Sequence, residues 1–165
     1  MKSKKMTYTL FGIYFLALAW LILLKGQFSL PNFGFYRNIN LIPLKGSAVV
    51  NGKIDLDEIL GNVFIFFPYG IFMGTLYPET PFYKKLLPIF LTSLAFETLQ
   101  YICGIGATDI TDIITNTTGG IIGLLLYLLL KKLFKERTLA MVNRISFVCA
   151  LFLISFASVI IIYNL

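Results

Sequence analysis

The chain has 165 residues, of which 58% are hydrophobic and only 13% charged, with a mean hydropathy of +0.83. Soluble domains carry about 25% charged residues, so this composition excludes a water-soluble globular domain and a disordered or fibrous chain, and points to an integral membrane protein. The net charge of +6 does not indicate nucleic acid, because the basic residues sit in short runs between apolar blocks and form no polar binding face.

A transmembrane helix needs about 20 mostly apolar residues. Five stretches meet or approach that length: Met6 to Leu24, Asp57 to Tyr77, Leu86 to Cys103, Asp112 to Leu130 and Ile145 to Tyr163. The first begins behind Lys2, Lys4 and Lys5 and contains Ala17-Leu18-Ala19, a possible signal-cleavage triplet. The apolar run continues through Trp20 to Leu24, so an uncleaved first helix is expected. Internal repeats and low-complexity segments are not evident.

The positive-inside rule sets direction. The N-terminus and the loops Pro78–Lys85 and Lys131–Arg144 hold ten Lys and Arg, against four in the segments on the other side. With five spans the N-terminus is then cytoplasmic and the C-terminus outside. The expected fold class is an all-α integral membrane helical bundle forming one domain over 1–165. Lys131, Lys132, Lys135 and Arg137 read as a topology anchor facing anionic lipid.

Local grammar agrees. Asp55-Leu56-Asp57-Glu58 reads as an N-cap with its box partner. Thr80-Pro81 offers a capping hydroxyl ahead of the third span. Pro68, inside the second, bends that helix or opens its backbone ladder. Between the first two spans, residues 26–56 are too polar to cross and too apolar for a plain loop. Phe33, Phe35, Ile39 and Leu41 alternate there with polar or small residues, and an interfacial or re-entrant segment is expected.

The chain has no histidine, which removes Ser-His-Asp, Cys-His and His-ligated zinc chemistry. Cys103 and Cys149 fall near opposite faces and read as apolar filler, too far apart for a disulfide. The informative residues are polar ones inside the spans. With directions taken from charge alone, Asn62, Glu97, Gln100, Asp109, Asp112 and Asn116 converge near the outer boundary. Glu97 and Gln100 share one helix face, as do Asp109, Asp112 and Asn116.

Such residues are costly in a membrane and mark functional sites by default. Glu97, Asp109 and Asp112 are the catalytic candidates, and the oxygen ligands if a divalent cation such as Mg²⁺ or Ca²⁺ binds. Structural roles compete with these. Asp109 is a good N-cap, and Glu97 has possible hydrogen-bond partners in Asn62, Asn116 or a Thr. Gly70, Gly74, Gly119, Gly120 and Gly123 suit helix packing better than ligand contact. The sequon Asn116-Thr117-Thr118 lies within a span and is discounted.

Asn40-Leu41-Ile42-Pro43, Gly61-Asn62, Phe67-Pro68-Tyr69-Gly70, Glu97-x-x-Gln100 and Asp109-x-x-Asp112-x-x-x-Asn116-x-x-Gly119 occur in that order. Together they resemble the VanZ-like family, over about residues 38 to 128. The resemblance implies a small multi-span protein of the bacterial plasma membrane and adds Asn40 to the ligand-binding candidates. The family takes its name from a protein that lowers susceptibility to teicoplanin, a lipid-tailed glycopeptide. One departure is that many members carry an Arg about three residues before the first Asp, where this chain has Gly106. Without that guanidinium an anion clamp is lost, unless Lys45 or Lys53 replaces it, and a cationic or zwitterionic ligand is favoured.

The leading functional expectation is a pocket that takes an amphiphile, either a membrane lipid headgroup, teicoplanin itself or a lipid-linked precursor. The alternatives are an enzyme acting on a lipid-linked substrate through a carboxylate or metal site, and a structural or assembly protein whose polar cluster fixes helix register. A transporter fits less well, because five spans without repeats give no inverted pair.

Overall fold

In a computed structural model, residues 3–23, 36–45, 49–50 and 53–163 are described. Five α-helices dominate: α1 (Lys4–Leu23), α2 (Leu56–Leu76), α3 (Phe82–Cys103), α4 (Ile110–Phe134) and α5 (Thr138–Tyr163). The protein is a helical membrane bundle. Four helical stretches are long and apolar enough to cross: Lys4–Leu23, Leu56–Leu76, Phe82–Cys103 and Ile110–Val159. The fourth, of 50 residues, contains both α4 and α5, joined through a 3-10 turn at Lys135–Arg137. Lys135 adopts φ 46° there and ends α4. Large apolar side chains such as Phe152, Val159 and Ile162 are exposed along α5, as expected of a surface facing acyl chains.

Helix bounds depart from the expected ones mainly where polar residues extend an apolar run. α5 begins at Thr138 and not near Ile145, and α4 continues through Lys131 and Lys132 to Phe134. α3 begins at Phe82, four residues before the expected Leu86, so Lys84 and Lys85 belong to its first turns and not to a loop. Pro81 is the cap residue and no side chain caps this end, so the capping role expected of Thr80 is not realised. Asp55 caps α2 as expected, accepting from the N–H groups of Asp57 and Glu58.

α2 and α4 form the central pair. Their contact is made of glycine. A Cβ at Gly70 would overlap the Gly120 carbonyl oxygen, one at Gly119 the Val63 carbonyl, and one at Gly123 the Phe67 carbonyl. The helices approach to backbone contact, which is how membrane helices gain packing without a hydrophobic driving force. Around this seam Phe66, Tyr69, Ile89 and Leu124 form a buried cluster with Leu18 of α1.

Pro68 leaves the Phe64 carbonyl without its usual helical donor. At the neighbouring carbonyl, Tyr14 Oη donates to Ile65 O at 2.7 Å, tying α1 to the site of the break. α1 is also tied to α5, where Thr7 Oγ1 donates to Asn143 Oδ1 at 2.8 Å with both residues fully buried. Cys103 and Cys149 are both free.

Short strands complete the fold. Tyr36–Asn40 (β1) pairs in parallel with Ile105–Asp109 (β4), and Val49–Val50 (β2) pairs with Lys53–Ile54 (β3) in antiparallel fashion. The alternating pattern around Ile39 thus marks a real strand. Its partner lies in a segment expected to be a bare loop between the third and fourth spans. Gly104, at φ 63°, ends α3 and turns the chain directly into β4. Phe33, Phe35 and much of the expected interfacial segment 26–56 lie outside the described residues.

Candidate functional site: a carboxylate and carboxamide ring

The N-terminus of α2, the C-terminus of α3, the N-terminus of α4 and the β1–β4 pair meet at one end of the bundle. Register places Asn40 opposite Asp109. The Asn40 Nδ2 donates to Asp109 Oδ2 at 2.9 Å, and to the Lys45 carbonyl. The other Asp109 oxygen accepts from Thr111 N–H at 2.8 Å, so the N-cap role is realised together with the contact to β1.

Glu97 reaches the same point from α3. Its Oε2 accepts from the Asp109 backbone N–H at 2.9 Å, while Thr108 Oγ1 donates to the Glu97 carbonyl at 2.9 Å. Glu97 is 1% exposed and Asp109 fully buried. One turn into α4, Asp112 Oδ1 accepts from Asn62 Nδ2 of α2 at 2.8 Å. Asn40, Asn62, Glu97, Asp109 and Asp112 therefore gather around the first turn of α4, whose positive dipole end favours carboxylates there. Of the partners the sequence offers Glu97, namely Asn62, Asn116 or a Thr, Thr108 meets its main-chain carbonyl, while its carboxylate accepts from the Asp109 backbone N–H.

Two expected members turn elsewhere. Gln100 Nε2 donates to the Ile22 carbonyl of α1 at 3.2 Å, one turn beyond Glu97. Asn116 lies one turn deeper, where its Nδ2 donates to Ser93 Oγ at 3.0 Å. Its Oδ1 is buried without a hydrogen-bond partner. Among the described residues no three of His, Cys, Asp and Glu are grouped to hold a metal ion. The carboxylate oxygens just described are engaged by amide and backbone donors.

Sequence reasoning missed Thr111, whose Oγ1 accepts from Leu44 N–H at 3.0 Å and anchors the chain after β1. It also missed Ser93. Ser93 stands one helical turn before Glu97 and on its face, a signal that was available. Gly106 faces Arg37 in the strand register and is buried against Gln100, with room for a Cβ at ordinary contact distance.

A family model described as VanZ/LLP1 matches residues 11–131. The chain belongs to the VanZ/LLP1 family. It is 38% identical over 132 residues to Protein VanZ of Enterococcus faecium, covering 79% of this chain and 78% of that protein. No solved structure matches it. The matched VanZ/LLP1 region contains α2, α3, β4 and nearly all of α4, hence Glu97, Asp109 and Asp112 of the ring. Family membership and the apolar helices together make this a multi-pass membrane protein.

Proposed function

We propose that this VanZ-family protein lies in the bacterial plasma membrane with its N-terminus inside, that α4 and α5 cross separately, and that the carboxylate ring opens toward the outer leaflet. There it binds the polar head of an amphiphile and lowers susceptibility to teicoplanin, the property the family is named for. The observation that carries this reading is the junction at Asp109. Its side chain is held by Asn40 and its backbone N–H by Glu97, so acidic and amide groups from a strand and three helices share one end of the bundle. An acidic surround favours an amine, a sugar or a zwitterionic head over an anion, in keeping with Gly106, which brings no guanidinium to the ring.

The orientation is supported by charge placement. Lys4, Lys131 and Lys135 line one cavity at the opposite end of the bundle from the ring, as the positive-inside rule requires of a cytoplasmic face.

The test is growth of a susceptible bacterium expressing the chain, its Glu97→Gln form or its Asp112→Asn form. The expected result is a raised inhibitory concentration of teicoplanin for the parent. Variants present at parental levels in the membrane fall back to the empty-vector value, and a glycopeptide without a lipid tail shows little difference throughout. Unchanged protection by both variants overturns the site, and no protection by the parent overturns the function.

A further inference from the structure

At the end of the bundle opposite the ring, α1, α2 and the start of α3 enclose a cavity of about 420 Å³. Its lining is graded along the helix axes. Tyr77, Thr80, Lys84 and Lys85 lie toward the basic end, while Phe11 and Met73 lie further in. Met73 is four residues, or about 6 Å of helix rise, deeper than Tyr77.

Lys85 is the unusual member. It is only 5% exposed, and among the described residues it has a ring contact with Tyr127, 5.8 Å from Nζ to the centroid, but no hydrogen bond or ion pair. The nearby Glu79 carboxylate is given to Lys131 at 3.2 Å. A buried ammonium whose nearest carboxylate is paired elsewhere is costly, and a negative group in the cavity it lines would offset that cost. The start of α3 supplies the same polarity. This 22-residue helix begins at Phe82, after the cap residue Pro81, with no side-chain cap, leaving its positive dipole end open beside Lys84 and Lys85.

We infer that this cavity is a binding site for an anionic phospholipid of the leaflet at the basic end, with the phosphate at Lys84, Lys85 and the start of α3 and an acyl chain lying along Phe11 and Met73. The apolar depth is what selects a lipid over a free anion, since inorganic phosphate gains nothing from it. The site is separate from the carboxylate ring and does not depend on what the ring binds.

The experiment is thermal unfolding of the purified, delipidated full chain in mild detergent, with phosphatidylglycerol, phosphatidylcholine or inorganic phosphate added, alongside native mass spectrometry of retained lipid. Phosphatidylglycerol is expected to raise the melting temperature of the parent more than phosphatidylcholine does, and phosphate alone to do nothing. Lys85→Met loses the phosphatidylglycerol shift and at least tenfold in apparent affinity. Met73→Phe, which keeps the charge and fills the apolar depth, weakens both lipids and decides the matter if Lys85→Met does not fold. Lys132→Gln, an exposed lysine, retains the parental shift. Equal shifts from the two lipids, an equal shift from phosphate, or parental lipid binding by Lys85→Met or by Met73→Phe overturns the inference.

Discussion

Asn40 and Asp109 stand opposite each other in the parallel register of β1 and β4, with the amide nitrogen 2.9 Å from the carboxylate. Together with the Leu44 N–H on Thr111 Oγ1, this contact joins the segment between α1 and α2 to the start of α4. Replacing Asn40 by Ala removes a donor to a buried carboxylate and is expected to cost about 1–3 kcal/mol. Asn40→Asp places two carboxylates in contact and costs more. Melting temperatures of the two variants in detergent check the order.

The glycine seam makes a sharp contrast. In an ordinary helix Gly→Ala gains up to about 1 kcal/mol. Gly61→Ala and Gly12→Ala, where a Cβ meets nothing within 4 Å, should be neutral or mildly stabilising. Gly123→Ala, whose Cβ would overlap the Phe67 carbonyl, forces α2 and α4 apart. Folded yield and melting temperature should fall for Gly123→Ala alone among the three.

Tyr14→Phe removes the hydroxyl that bonds Ile65 O beside Pro68. The expected loss is about 0.5–1.5 kcal/mol, the usual net worth of such a bond, with no loss of membrane insertion. A melting curve indistinguishable from the parent's contradicts this role for the hydroxyl.

The buried Thr7–Asn143 pair gives a coupled prediction. Asn143→Leu removes the acceptor that Thr7 Oγ1 meets at 2.8 Å and leaves that buried hydroxyl only the Ser3 carbonyl at 3.5 Å, whereas Asn143→Leu combined with Thr7→Val removes both side-chain polar groups. The double variant is expected to be more stable than Asn143→Leu alone, because an unmatched buried group costs more than a missing pair. A double-mutant cycle read by thermal unfolding measures the sign.

Much of this arrangement was legible in the sequence, because membranes leave strong marks. The apolar runs gave the helices, the alternating direction of the spans put Glu97, Asp109 and Asp112 at one level, and the i, i+3 and i, i+4 spacings gave the faces they share with Gln100 and Asn116. Asp55 and Asp109 were readable as caps, and the glycines as a packing surface. The strand Ile105–Asp109 was not readable. Five residues that include Gly106 give no periodic signal, and their partner lies 69 positions away from Asn40 to Asp109. Without that strand, Glu97 could not be seen to bind a backbone N–H. Lys85 was hidden for a related reason, since a lysine pair shortly after Pro81 reads as part of a loop until the helix is found to begin at Phe82.

The β1–β4 pairing also dictates an order of assembly. β1 emerges from synthesis before α2 and α3, yet its hydrogen-bonding partner is made only after both of those helices. Asn40 therefore has only local partners such as the Lys45 carbonyl while those two helices are made, and the ring closes only when the chain returns at Asp109. The polar ring thus waits on the start of α4, while α5 is still to be made.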